Sequence, residues 1–119
     1  MLVLKQFFHR DRPLVPLLQA AKGMSFPSGH ALMSSTFYGL LIYLVWRNIK
    51  NKTIKWLITI TFLLIIFFIG LSRIYLRVHY PTDVMAGYCL GLIWLILSIT
   101  ILNKMERIGK KEIDLVVEK

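Results

Sequence analysis

Three long uncharged runs divide this chain, and its charges gather between and beyond them. The first runs from Ala31 to Trp46, the second from Trp56 to Leu71 and the third from Val84 to Asn103. Apolar residues fall on every side of any helix drawn through the second run. Its Ile and Thr content hints at strand, but sixteen residues are too many for an ordinary strand, and a lone strand in lipid cannot satisfy its own backbone. The third run, twenty residues as a helix, is long enough to cross a bilayer core of ~30 Å. The pattern therefore predicts an all-α fold, an integral membrane helical bundle with three transmembrane helices over about 29–47, 55–72 and 82–103.

Punctuation between the runs refines this picture. Residues 1–13 are a short apolar opening followed by Lys5, His9, Arg10, Asp11, Arg12 and Pro13; with Leu2 to His9 helical, Lys5 and His9 share a face. Residues 14–26, with Pro16 and the Lys22-Gly23 pair, read as a connection with at most a short helix. Ser28 is placed as an N-cap, Pro27 sets the entry, Gly29 lets backbone approach a ligand, and His30 points from the first turn. Arg47 to Lys55 is a tight basic turn. Pro81 sits where a helix opens, with Asp83 in its first turn and His79 just ahead of it. Gly87 and Gly91 form a small-xxx-small pair, the mark of a packing surface for another helix. Residues 104–119 are a charged tail expected in water, beyond a catalytic unit over 1–103.

Charge then narrows the partners. With 119 residues the chain is one domain at most, and its formal charge of +9 could suggest nucleic acid. The basic residues instead fall at the ends of apolar runs, which favours membrane lipids of anionic type and no nucleic acid. A single Cys89 allows no internal disulfide, and no cleavable signal peptide is expected in the charged opening. Three spans put the Arg47–Lys55 turn and the tail on one side, the Ser28–His30 and Ser72–Asp83 segments on the other. The turn and tail carry nine of the fifteen Lys and Arg residues, so the C-terminus is expected to be cytoplasmic and the polar segments to lie at the outer face of the cell membrane. Trp46 and Trp56 beside the turn fit an interfacial belt.

The polar segments carry the chemistry. Between Ser72 and Asp83 the chain packs Arg73, Arg77 and His79 against membrane-length runs, where charge is costly unless it meets water or function. Asp83, four residues after His79, can reach back to one imidazole nitrogen and leave the other free to attack. Arg73 and Arg77 offer planar donor forks suited to phosphate. Lys5, Arg12, Ser28 and the Gly29 amide add further cations and donors, and His30 can protonate a leaving alkoxide. Positioned cations and N–H donors do most of the work in phosphoryl transfer, so the set is complete without a metal or another cofactor, and no cysteine or carboxylate cluster is present to hold a metal.

Lys5 with six residues before Arg12-Pro13, then Pro27-Ser28-Gly29-His30, then Ser72-Arg73 with five residues before His79 and three more before Asp83, resembles the three-part signature of the type 2 phosphatidic acid phosphatase superfamily. At roughly 5% per fixed position, either four-residue element arises by chance about once in 10⁵ starting points. The resemblance implies a metal-independent membrane lipid phosphatase acting through a phosphohistidine. His79 would be the nucleophile, Asp83 its orienting partner and His30 the acid and base, with Lys5, Arg12, Ser28, Gly29 and Arg73 on the phosphate. Substrates of the family are lipid phosphomonoesters such as phosphatidic acid and phosphatidylglycerophosphate, or polyprenyl and lipid pyrophosphates. Membrane members carry further spans ahead of the first motif, so the three helices would match the C-terminal half of a bundle of about six, with the missing helices helping to bury Gly87 and Gly91. Two other expectations stand beside this one: an inactive, N-terminally truncated remnant that only binds anionic lipid, and a vanadate-dependent haloperoxidase, whose anion site is shared by resemblance.

Overall fold

The computed structural model describes residues 2–8, 10–13 and 24–117, without the side chains of Leu2, Leu4, Lys5 and Leu115; His9 and most of the connection at 14–23 lie outside the described residues. All regular structure among them is helical, in the order α1 (Leu2–Phe8), α2 (Gly29–Asn48), α3 (Lys52–Tyr75) and α4 (Pro81–Val117). The three long helices fall on the three uncharged runs. α3 begins earlier than the end of the basic turn because Asn51 caps it, its Oδ1 accepting from the Thr53 and Ile54 N–H groups at 2.9 and 3.2 Å. α4 opens at Pro81, whose fixed φ suits a first helical position.

The charged tail is not a separate element but a continuation of α4. At 37 residues the helix is ~55 Å long, well beyond the thickness of a bilayer core. Polar pairs hold the extension against α2: Tyr43 Oη donates to Asn103 Oδ1 at 2.8 Å, and the Arg47 guanidinium pairs with the Glu106 carboxylate, Nη1 to Oε1 at 3.0 Å. At the same end Trp46 Nε1 donates to Thr59 Oγ1 at 2.9 Å and its ring meets that of Trp56 edge-on, which fastens α2 to α3.

α2 is the central helix, packed against both α3 and α4, which touch each other far less. Among the described residues, α3 and α4 are long and apolar enough to cross a membrane. α2 carries Ser34, Ser35 and Thr36, whose hydroxyls bond back to carbonyls one turn earlier. Thr36 Oγ1 also reaches the Gly91 carbonyl of α4 at 3.1 Å. The partition of side chains is that of a membrane protein. Among the described residues, Ala31, Val78, Val84 and Leu95 are the buried hydrophobic side chains, fewer than the buried polar ones, while Leu63, Leu64, Phe67, Phe68, Ile93 and Trp94 face outward.

Close approach of α4 to α2 depends on two glycines that α2 itself covers. A Cβ at Gly87 would stand 2.6 Å from the Ser28 carbonyl oxygen, and one at Gly91 would stand 1.9 Å from Ser35 Oγ and 2.7 Å from the Leu32 carbonyl. Across the other contact, Tyr88 lies over Gly70 and its hydroxyl donates to the Ile66 carbonyl at 2.6 Å. Gly91→Leu is expected to lower stability by about 1–3 kcal/mol through overpacking. Gly109→Leu, where an added Cβ meets nothing within 4 Å, is the control that leaves it unchanged or slightly raised. Thermal loss of helical circular dichroism in detergent measures both; equal melting of the two variants would contradict the packing.

Candidate active site

The site is assembled on the turn between α3 and α4. α3 ends in a Schellman arrangement: Arg77 N–H donates to the Ile74 carbonyl at 2.9 Å and Val78 N–H to the Arg73 carbonyl at 3.3 Å. The residue in the left-handed position is Arg77, φ 53°, where glycine is the usual occupant. His79 N–H donates to the same Arg73 carbonyl at 3.3 Å, so the chain folds back and sets a buried His79 against the last turn of α3. Tyr80 then caps α4, and Asp83 falls at its third residue.

The Asp83 side chain has no exposure to water. Its Oδ2 accepts from the Tyr80 N–H at 2.9 Å, the reciprocal half of a capping box, and lies 3.7 Å from His79 Nδ1, an ion-pair distance. Its Oδ1 accepts from Arg10 Nη1 at 3.0 Å. Arg10 Nη1 also donates to Thr82 Oγ1 at 2.8 Å, and its guanidinium lies 4.6 Å from the centre of the Tyr80 ring. The Asp83 backbone takes part as well, its carbonyl accepting from the Ser28 N–H at 2.9 Å.

Arg12 closes the same knot from the leading segment. Its Nη1 donates to the Val78 carbonyl at 3.0 Å and its Nη2 to the Met24 carbonyl at 3.5 Å. Partial burial pushes its guanidinium below the ordinary arginine value, and the Asp83 charge acts in the opposite direction. Ser25 joins the two loop strands, its N–H donating to the Arg10 carbonyl at 2.8 Å and its Oγ to the Asp11 carbonyl at 3.2 Å.

Of the residues singled out by sequence, Arg12, Ser28, Arg73, His79 and Asp83 are thus joined by one hydrogen-bonded network. Gly29 is the first residue of α2, and His30 is exposed in its first turn. Lys5 belongs to α1, with its side chain outside the described ones. Ser28 occupies the N-cap position, yet its side chain makes no capping bond. Among the described residues, Ser28 Oγ and Arg73 Nε are buried without a hydrogen-bond partner in the protein. Two such groups in one network suit an acceptor-rich ligand such as a phosphate. No group of three or more His, Cys, Asp or Glu among the described residues could hold a metal ion. Sequence reasoning missed Arg10, which it treated as part of a basic flank. The signal was its spacing, since residues two apart in extended chain share a side and Arg12 was already chosen.

Known proteins resemble this chain in sequence and in fold. A family model described as the PAP2 superfamily matches residues 1–107. Phosphatidylglycerophosphatase B of Bacillus subtilis (strain 168) is 33% identical over 113 residues, covering 92% of this chain and 54% of that protein. The putative undecaprenyl-diphosphatase YbjG of Escherichia coli (strain K12) is 34% identical over 91 residues, covering 72% and 41%. A crystal structure described as the first transmembrane PAP2 type phosphatidylglycerolphosphate phosphatase, from Bacillus subtilis, superposes with a TM-score of 0.75 at 34% identity, covering 86% of this chain and 51% of that one. The chain therefore spans about half the length of the two Bacillus subtilis proteins it matches.

The left-handed Arg77 makes the turn itself testable. Arg77→Gly removes the steric penalty of φ 53° and is expected to stabilise the protein by about 1 kcal/mol. A rise in the melting temperature in detergent checks it; a fall would mean that the side chain holds the turn together.

Proposed function

The chain belongs to the PAP2 superfamily, and from that premise we propose that it hydrolyses a lipid phosphomonoester or pyrophosphate at the outer face of the membrane, without a metal, through a phosphohistidine. The observation that carries the reading is the pair of buried, unpartnered polar atoms, Ser28 Oγ and Arg73 Nε, on the two segments that the Asp83 network ties together. The relatives' names, a phosphatidylglycerophosphatase and a putative undecaprenyl-diphosphatase, support the substrate class: phosphatidylglycerophosphate, phosphatidic acid or a polyprenyl pyrophosphate.

Since Asp83 faces Nδ1 of His79, the attacking atom is Nε2. The Nε2 lone pair forms a bond to phosphorus as the bond from phosphorus to the lipid oxygen breaks, and His30 gives its proton to that oxygen. Asp83 balances the positive charge that grows on the ring. Water, deprotonated by His30, then attacks phosphorus, the P–N bond breaks, and inorganic phosphate leaves with His79 restored. Arg73, Arg12, Lys5, Ser28 Oγ and the Gly29 N–H stabilise the equatorial oxygens, where charge accumulates in the transition state. The basic turn at the opposite end of the helices, Arg47 to Lys55, and the excess of Lys and Arg after residue 103 support the outer face for this end.

Phosphate release from micellar phosphatidylglycerophosphate, phosphatidic acid and a polyprenyl pyrophosphate tests the proposal. The wild-type chain is expected to turn over at least one of them in the presence of a chelator, His79→Ala to abolish release, and His30→Ala to lower it about 10²–10⁴-fold. Turnover that persists in His79→Ala would reject the mechanism.

A further inference from the structure

Arg10 lies outside the three motifs, yet its side chain stands nearer the Asp83 carboxylate than the imidazole does, 3.0 Å against 3.7 Å. We infer that Arg10 is a positioning residue that divides Asp83 between a fixed cation and His79, and so sets how readily the nucleophile's ring takes up a proton.

The geometry is that of a clamp. One guanidinium nitrogen serves both Thr82 Oγ1 and Asp83 Oδ1 at the head of α4, and the guanidinium carbon lies 4.6 Å from the centre of the Tyr80 ring. The backbone of Arg10 is itself fixed, its carbonyl accepting from the Ser25 N–H. Tyr80 N–H and the Arg10 guanidinium hold one carboxylate oxygen each, so Oδ2 is directed to the side where His79 lies. A positive charge on Oδ1 also reduces the field that the carboxylate exerts on the imidazole. Among the described residues, Arg12 from the leading segment also acts on Asp83, beside His79 and Arg10; α2 brings His30 to this end and α3 brings Arg73. Among the described residues, Arg10 is a cation in direct contact with the carboxylate.

Chemically, the division matters because the ring must be neutral to attack phosphorus. An imidazole facing an undivided carboxylate holds its proton to higher pH. With Arg10 in place the ring is oriented by Asp83 and still gives up its proton at lower pH, which keeps the nucleophile available across a wider range.

This inference rests on the phosphatase reading for its meaning, but its first test does not require turnover. The chain carrying ¹³C-labelled histidine, in detergent micelles, is titrated by NMR, with the His79 signal assigned by its loss in His79→Ala. In Arg10→Met the His79 midpoint is expected to rise by about one pH unit, and in Arg10→Met with Asp83→Asn that rise is expected to vanish. Arg10→Lys retains the charge but not the fork, and its midpoint should fall between wild type and Arg10→Met. Where the wild-type chain turns over a lipid phosphate, the acid limb of kcat/KM should move upward by the same amount. A role in folding alone would lower the amplitude of the rate and leave the limb in place. An unmoved or lowered midpoint in Arg10→Met overturns the inference, as does a rise that persists in the double variant. Should Arg10→Met fail to fold, Arg10→Lys decides it, and a midpoint equal to wild type overturns it. Absence of turnover with the expected NMR shifts would count against the phosphatase reading and leave the positioning role standing.

Discussion

One buried carboxylate holds this end of the molecule together. Asp83 has no exposure to water, and a charge in that position is tolerated only when donors surround it. Its two oxygens and its carbonyl take bonds from three parts of the chain: Arg10 in the leading segment, Tyr80 in the α3–α4 turn and Ser28 at the head of α2. Each donor comes from a segment with a motif residue in it or beside it. The same network that satisfies the carboxylate therefore carries Arg12, Ser28, Arg73 and His79 to one place.

In lipid there is little hydrophobic force between helices, so association relies on close packing and on polar contacts. This chain uses both on a single stripe of α4. Asp83, Gly87 and Gly91 follow one another at four-residue spacing, and all three meet α2: the first at Ser28, the second at Ser28 and Ala31, the third at Leu32 and Ser35. The glycines bring the backbones near enough for the Ser28 N–H to reach the Asp83 carbonyl. Packing and site geometry are thus set by one register between two helices. A shift of α4 by one residue would turn both the carboxylate and the glycines away from α2.

What could be read from sequence follows the range over which each cause acts. The three helices were legible because each run carries its own signal, and the opening at Pro81 because proline restricts its own backbone. The start of α3 at Lys52 was less so, since Asn51 is one polar residue in a polar turn and its cap appears only once the N–H groups of Thr53 and Ile54 are in place. The helical character of 104–117 was hidden by its charge, which marks water contact without fixing backbone conformation. At the site, His79 and Asp83 were legible as a local pair. Arg10 was not, because its partner lies 73 positions away and the spacing from Arg12, its one local signal, does not name that partner.

The places where local rules are broken gather at the same end of the molecule. Among the described residues, buried hydroxyls away from this end are satisfied: Ser34 and Ser35 bond to the Ala31 carbonyl, and Thr59 accepts from Trp46. Ser28 sits where a serine ordinarily caps its helix, and its hydroxyl does not do so. A buried polar group left without a partner costs on the order of 1–3 kcal/mol, and an arginine in the left-handed region about 1–2 kcal/mol more. The chain carries Ser28 Oγ, Arg73 Nε and the φ of Arg77 within one network while satisfying comparable groups along the rest of α2 and α3. Membrane packing alone gives no reason to concentrate such penalties at one end, since lipid punishes unpaired donors more severely than water does. An anion site of the kind proposed above does, because donors withheld from the protein would be left to a ligand.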